Sequence, residues 1–386
     1  MPVALLPSTA SAQSAAEFGR CVDQLRAQAR TAGVSDASFS RLTQGLEPDP
    51  SVLDKLDNQP EFRTPIWDYM AALVDDERVE QGRERLARHG DTLQAVSERY
   101  GVDPATVVAV WGVESNFGQS FGSSPLLQSL GTLSCFGRRQ SYFRGEWFAA
   151  MRILQAGHVA PERLRGSWAG AFGHTQFMPS TFERLAVDFD GDGRRDLIDS
   201  IPDALASTAH FLQKAGWRSD MPWGFEVRLP PGFELAGEGR RVKRDVDTWT
   251  ARGVRRVDGG ALPKGGPYGL LAPAGAQGPA FLVTRNFDAL YSYNAAESYG
   301  LAIAHLSDRL RGAGGFATPW PTDDPGLSRA DRRELQRRLL ARGHDIGEVD
   351  GMLGERSRAA IRAEQARLGM EASGRAGQKL LRALAP

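Results

Sequence analysis

The sequence predicts a mainly α-helical protein that carries a small strand-rich insert and ends in a three-helix module. Three observations lead there. Apolar residues recur at helical spacing through most of the 386 residues; the pattern turns to short alternating pieces between 225 and 284; and a Gly/Pro-rich stretch sets off the last sixty or so positions. Lys+Arg and Asp+Glu balance at 47 each, which leaves no basic footprint for nucleic acid, and no apolar run reaches membrane-spanning length.

Residues 1–14 read as a disordered tail or the remnant of a secretory signal. Ala10-Ser11-Ala12 has the A-x-A pattern of a signal-peptidase site, but a basic start and a full apolar core are missing. Helical patterns follow at Ala15–Ala32 and Ser35–Gly45, and then a long connection, Pro48–Pro65, carrying Gln59-Pro60-Glu61-Phe62. Ile66–His89 and Asp91–Tyr100 read as amphipathic helices. The two cysteines, Cys21 and Cys135, either pair in an oxidising compartment or stay as separate buried thiols; the sequence leaves both open. Phe18-Gly19-Arg20 before Cys21 is not the small, apolar context of a lipid-modified cysteine, so no lipid anchor is expected.

The stretch Asp103–Gly118, DPATVVAVWGVESNFG, is the centre of the chain. Asp103 caps, Pro104 fits the first turn, and Ala105–Phe117 reads as a buried helix holding one acid. Glu114 falls one turn after Val110 and Trp111 and two turns after Val107, on the apolar face. Desolvation by Trp111, Val113 and Phe117 and the negative end of the helix dipole both favour its protonated form. Such a group is suited to general acid catalysis; the same position would also suit a hydrogen-bonded core Glu.

Leu126–Leu133 opens another helix ending near Phe136-Gly137, and the next, carrying Tyr142, Phe143, Glu146 and Trp147, runs to about Gly157. SWAGAFGHTQFMPS, Ser167–Ser180, contains small residues, aromatics and amides but no acid, which suits the wall of a sugar groove or a tight helix-packing corner. DFDGDGRRDLID, Asp188–Asp199, matches the opening of an EF-hand calcium loop: Asp188, Asp190 and Asp192 supply side-chain oxygens, Arg194 a carbonyl, and Gly193 the turn. Asp199 holds the twelfth position, where Glu is usual, and Asp203 closes the site if the loop is longer; Arg195 takes the usually apolar eighth position.

Phe225–Leu229 and Phe281–Thr284 are the clearest strands of the insert. Helix returns at Phe287, and Tyr291–Leu310 carries Tyr293, Asn294 and Tyr299 into a helix with Leu301, Ile303 and Leu306 inward. Residues 312–326 read as a linker. In the terminal module Ser328 and Asp331 have capping-box spacing, Leu335, Leu339 and Leu340 form a buried face, and Ser357–Leu368 and Ala376–Leu384 make two further helices.

These residues together carry a resemblance. VWGVESNFG around Glu114, GRRQSYFRGE from Gly137, SWAGAFGHTQFMPSTF from Ser167, AVDFDGDGRRDL from Ala186, DALASTAHFL from Asp203 and YNAAESYGLAI from Tyr293 resemble, in the same order, the lytic murein transglycosylases of the membrane-bound B type. The terminal part resembles the common three-helix peptidoglycan-binding domain. The resemblance implies a lysozyme-like α+β catalytic domain at 15–311 with an EF-hand-like loop at 188–203 and a strand-rich insert at 225–284, then a linker at 312–326 and a peptidoglycan-binding domain at 327–386. It implies that Glu114 is the sole acid/base, that Ser167, Gln176, Tyr293, Asn294 and Tyr299 line the sugar groove, and that Arg138 and Arg139 meet muramoyl lactate or peptide carboxylates. It also implies a structural Ca²⁺, with Asp203 favoured over Asp199, and peptidoglycan strands as the partner of an exported, periplasmic monomer. Two departures stand out: Phe211 where relatives commonly have Tyr, and Glu364 where the terminal module usually has an aromatic.

The activity implied is cleavage of the β-1,4 bond between N-acetylmuramic acid and N-acetylglucosamine with formation of 1,6-anhydromuramoyl ends. The residues support it independently, because a hydrolase needs a second carboxylate about 5–10 Å from the acid, whereas Ser115–Gly145 and Arg163–Phe182 contain no Asp or Glu. The alternatives are a hydrolytic muramidase and a non-catalytic wall-binding scaffold. A zinc hydrolase is disfavoured, since the six histidines show no zinc-ligand spacing.

Overall fold

In a computed structural model, residues 9–57 and 64–385 are described, the first six of them by backbone alone. Residues 1–8, and with them most of the expected tail, lie outside the described residues, as does Gln59-Pro60-Glu61-Phe62. Helix dominates, as the periodicity predicts, and the chain forms two units, residues 1–62 with 110–211 and residues 63–109 with 212–386.

The first unit begins with helix Thr9–Thr31, which starts earlier than expected and reaches back into the presumed tail. Ser35 then caps Asp36–Thr43 by accepting the Ser38 N–H. The expected connection after Pro48 contains a further short helix, Ser51–Asp57, because Val52 and Leu56 reach the core at 0% and 3% exposure. Leu126–Cys135 and Gln140–Gln155 form an antiparallel pair whose Trp147 is fully buried and meets Phe39 edge-on at 6.0 Å. Cys21 and Cys135 are disulfide-bonded across 114 residues with Cα atoms 5.9 Å apart. Closing a loop of that length restricts the unfolded chain by about 4–5 kcal/mol in the chain-entropy treatment.

In the second unit, the amphipathic run Ile66–His89 is two helices, Ile66–Leu73 and Asp76–Arg88, since Asp75 breaks the run by capping the Arg78 N–H at 2.8 Å. Gly90–Tyr100 follows and ends at left-handed Gly101. The strand-rich insert is a four-stranded antiparallel sheet in the order 255–256, 224–228, 280–283, 269–271, packed on Trp249, Val254 and Leu262. Thr284 caps Arg285–Asn294, and left-handed Ala295 separates it from Glu297–Leu310, so the expected continuous run is two helices.

The terminal helices Arg329–Ala341, Glu355–Arg367 and Gln378–Ala383 enclose Leu335, Leu339, Ile361, Leu380 and Leu384. The capping box of Ser328 and Asp331 forms as predicted. Leu340 does not join the core and is 41% exposed, because five residues of helix after Leu335 turn it to the opposite side. Glu364 is buried against His344, Arg342 and Arg367. The stretch 312–326 is no free linker. The Ala317 and Thr318 N–H groups donate to the Glu226 carboxylate at 2.7 and 2.8 Å, and the Phe316 ring lies 3.9 Å from His305.

Candidate active site

Asp103 accepts the Thr106 N–H at 3.0 Å and starts the acid-bearing helix, Pro104–Ser115. The helix is buried on all sides at first, with Val107 to Val110 at 0% exposure, and emerges at its end, where Val113 and Glu114 are half-buried. It stops two residues before the expected Phe117. Asn116, Phe117 and Gly118 have φ of 50°, 57° and 83°, a left-handed run that turns the chain sharply after the acid. Holding two non-glycine residues there costs of order 1–2 kcal/mol each, so the surroundings must fix the turn.

His174 fixes it. The Trp111 indole N–H donates to its Nδ1 at 2.9 Å, and the Ser115 hydroxyl donates to its carbonyl at 2.8 Å while accepting the Gly118 N–H at 3.1 Å. The His174 ring lies edge-on to Trp111 and Phe121 at 5.4 and 4.7 Å. It fills the space beside Gly118, where a Cβ would stand 2.4 Å from Cε1. Reading the sequence missed this histidine as the brace of the acid's turn; its place inside the acid-free motif is the only sequence signal for it.

Gly122 lets strand 124–125 approach strand 165–166, since a Cβ there would meet the Gly166 carbonyl at 2.3 Å. Behind it, the Ser167 hydroxyl accepts the Ala171 N–H at 3.0 Å, which leaves its own proton to donate. Gln176, at φ 50°, gives both amide protons to the carbonyls of Gly173 and Phe121, at 2.9 and 3.2 Å, so its oxygen is the group left to act on a ligand. Phe211 packs on Phe177 at 5.9 Å.

Two of the acids that border the acid-free stretches, Glu146 and Glu183, are committed to structure, and a third, Glu162, is exposed. Glu146 is 4% exposed and accepts the Ser180 N–H and hydroxyl at 2.9 and 2.7 Å, capping helix Pro179–Leu185. Glu183 takes both oxygens to Arg152, at 2.6 and 2.5 Å. Neither is arranged to act as a nucleophile or to activate water. Arg138 and Arg139 are exposed; the first donates to the Leu56 carbonyl at 2.5 Å and the second lies over the Tyr142 ring at 4.5 Å.

In the acidic loop, oxygens of Asp188, Asp190 and Asp203 lie within 4.8 Å of one another. Fully buried Asp203 accepts the N–H groups of Phe189 and Asp190 on one oxygen and that of Asp196 on the other, at 2.7, 3.2 and 2.8 Å. Burial nonetheless pushes its carboxyl above the ordinary range. Three carboxylates converging around a buried one match the oxygen-donor chemistry of a hard cation. Asp192 and Asp199 are not brought into this group. Asp192 pairs with Arg194 at 2.9 Å, and exposed Asp199 pairs with Arg163. Arg195 replaces the usual apolar residue by laying its guanidinium over Phe182 at 5.1 Å.

Tyr293, Asn294 and Tyr299 belong to the second unit, where the two tyrosine rings stack at 6.1 Å, Tyr299 is buried and Asn294 is exposed.

Comparison with known proteins completes the picture. Residues 17–308 match the Transglycosylase SLT domain family and residues 328–384 a peptidoglycan binding domain family. Membrane-bound lytic murein transglycosylase B of Escherichia coli (strain K12) is 31% identical over 282 residues, 67% of this chain and 74% of that protein. The crystal structure of SltB3 from Pseudomonas aeruginosa in complex with NAG-anhNAM-pentapeptide is 46% identical, with a TM-score of 0.77 over 95% of this chain and 99% of that one. The Escherichia coli lytic transglycosylase Slt35 in complex with calcium is 27% identical, with a TM-score of 0.66 over 77% of this chain and 93% of that one. With its acid-bearing helix inside a domain match of this extent, the chain belongs to the lytic transglycosylase family of the SLT type and carries a peptidoglycan-binding module after it.

Proposed function

We propose that Glu114 is the sole general acid and base of a peptidoglycan lytic transglycosylase. The observation that carries this is a half-buried carboxylate at the end of a buried helix, the only acid in sequence between Asp103 and Glu146, while Glu146 and Glu183 are tied to Ser180 and Arg152. The Glu114 carboxyl gives its proton to the glycosidic oxygen as the bond to C1 of N-acetylmuramic acid breaks, releasing the 4-hydroxyl of N-acetylglucosamine. The carboxylate then takes the proton of the muramoyl 6-hydroxyl while O6 bonds to C1. Glu114 returns to its starting state, no water is consumed, and the product ends in 1,6-anhydromuramic acid. The neighbouring acetamido group takes the place of a protein nucleophile at C1. SltB3 was solved with a fragment that has such an anhydro end, which supports the same product here.

In this reading the Ser167 proton and the Gln176 oxygen orient sugar hydroxyl and acetamido groups, and Tyr293, Asn294 and Tyr299 contact sugar, as the family resemblance implies. Arg138 and Arg139 keep a further role toward muramoyl carboxylates at their exposed faces. The loop binds one structural Ca²⁺ through Asp188, Asp190 and Asp203, supported by the calcium complex of Slt35. The disulfide and the wall substrate support an exported, periplasmic monomer, and among the described residues no helix is long and apolar enough to cross a membrane. The test is mass spectrometry of soluble products from isolated peptidoglycan. Wild type should release anhydro-ended muropeptides and Glu114→Gln none; equal release by both would refute the assignment.

A further inference from the structure

The stretch 316–326, between the two family matches, helps to enclose a cavity of about 400 Å³. Trp67, Met70, Ala71 and Val74 line it from one side, His305 from a second helix, and Phe316 and Trp320 from the stretch itself. All belong to the second unit. Its size is that of a small-molecule site, and its composition is unusual in two respects.

The first is that two polar side chains in its wall make no hydrogen bond among the described residues. The Trp67 indole N–H is buried with no hydrogen-bond partner. His305 is 7% exposed, and among the described residues its ring makes a stacking contact with Phe316 but no hydrogen bond. Leaving a buried donor unsatisfied costs about 1–3 kcal/mol, so the Trp67 N–H in particular is poised for a partner. Burial, with Arg309 nearby, pushes His305 down to about 3, so its ring is neutral and offers one donor and one acceptor.

The second is that, among the described residues, no charged side chain lines the cavity. A ligand carrying a carboxylate, phosphate or ammonium would lose its hydration there without recompense. What the wall does supply is aromatic faces, with Phe316 and Trp320 edge to face at 5.9 Å and the Pro319 and Pro325 rings beside them. Such faces accept the C–H face of a pyranose ring. A neutral sugar bearing an amide matches both features, its acetamido oxygen accepting from Trp67 and its acetamido N–H or a hydroxyl meeting His305.

We propose that this cavity is a second glycan site, which takes an N-acetylglucosamine residue of the strand and excludes the carboxylate-bearing muramoyl peptide. The proposal rests on the peptidoglycan reading above and adds a hold on the strand besides that of the Glu114 site.

The test follows indole N–H signals of the full-length protein by NMR during titration with N,N′-diacetylchitobiose, with cellobiose as the control lacking acetamido groups. Trp67→Phe identifies the Trp67 signal, and the Trp111 signal reports the region of Glu114. A saturable Trp67 shift with the acetylated sugar is expected, together with at least tenfold weaker binding at that signal in Trp320→Ala and an unchanged Trp111 response. Trp67→Phe keeps the ring and loses the donor, so binding followed on the His305 ring should weaken about tenfold. A Trp67 signal that stays fixed while that of Trp111 moves, or equal shifts with cellobiose, would overturn the site. Muropeptide release by wild type is measured on the same preparation. Release without a Trp67 shift defeats the second site alone, whereas absence of anhydro products defeats the catalytic reading.

Discussion

Two regions of the first unit are built around carboxylates, and they are built in opposite ways. At the end of Pro104–Ser115 the one carboxyl of the helix is half-buried, ahead of a left-handed turn braced by His174. In the loop 188–203 three carboxylates crowd within 4.8 Å, one of them fully buried and held by three backbone N–H groups. A carboxyl on a helix that holds no other acid exchanges a proton at modest cost. Three together repel one another, and a cation is the natural way to relieve that. On the proposed reading, the same residue chemistry gives a proton carrier in one place and an ion cradle in the other, and the number of acids that the segment brings together decides which.

The largest effect expected from breaking this contrast is at the helix acid. Glu114→Gln keeps the shape and removes the proton, and should reduce release of soluble muropeptides by on the order of 10²–10⁴-fold, with Ca²⁺-dependent stability unchanged. At the cluster, Asp203→Asn should abolish the stabilisation of wild type by Ca²⁺, which amounts to about 2.7 kcal/mol at a free concentration one hundred times Kd. Thermal unfolding in Ca²⁺ and in chelator measures it. If chelator leaves the wild-type midpoint unmoved, the loop is no cation site.

Gly118→Ala should be next. Its Cβ meets the His174 ring at 2.4 Å in a left-handed backbone, so a loss of about 1–3 kcal/mol in denaturant unfolding is expected. Activity should fall while the Ca²⁺ response persists. The smallest change is expected for Asp199→Asn. That residue is exposed and paired with Arg163 at the surface, so stability should move by no more than about 1 kcal/mol, with the calcium midpoint unaltered. A lost calcium response there would restore Asp199 to the site.

These contrasts also show what the sequence could and could not tell. The acid's helix was legible because Asp103, Pro104 and an apolar run are local signals. Its end was not, because Asn116 and Phe117 are left-handed by virtue of the His174 brace, a partner distant in sequence. The regular calcium-loop register points to Asp199, whereas the fold brings Asp203 to the cluster from the first turn of helix Ile201–Lys214. Short helix 51–57 was hidden by the prolines before it, Pro48 and Pro50, and by burial that local pattern cannot reveal. Composition marked 312–326 as irregular but carried no sign of its anchoring to Glu226 and His305. The helical class, the insert's two central strands and the capping box of the terminal module depend on short-range chemistry, and the structure retains them to within a residue or two at their ends.

The central claim is that one carboxyl performs the whole reaction without water. The direct test is digestion of isolated peptidoglycan in ¹⁸O-enriched water, with mass analysis of the new muramoyl ends. The account predicts anhydromuramoyl ends that carry no ¹⁸O. Reducing muramic acid ends with one ¹⁸O at C1 would contradict it and make the enzyme a hydrolase.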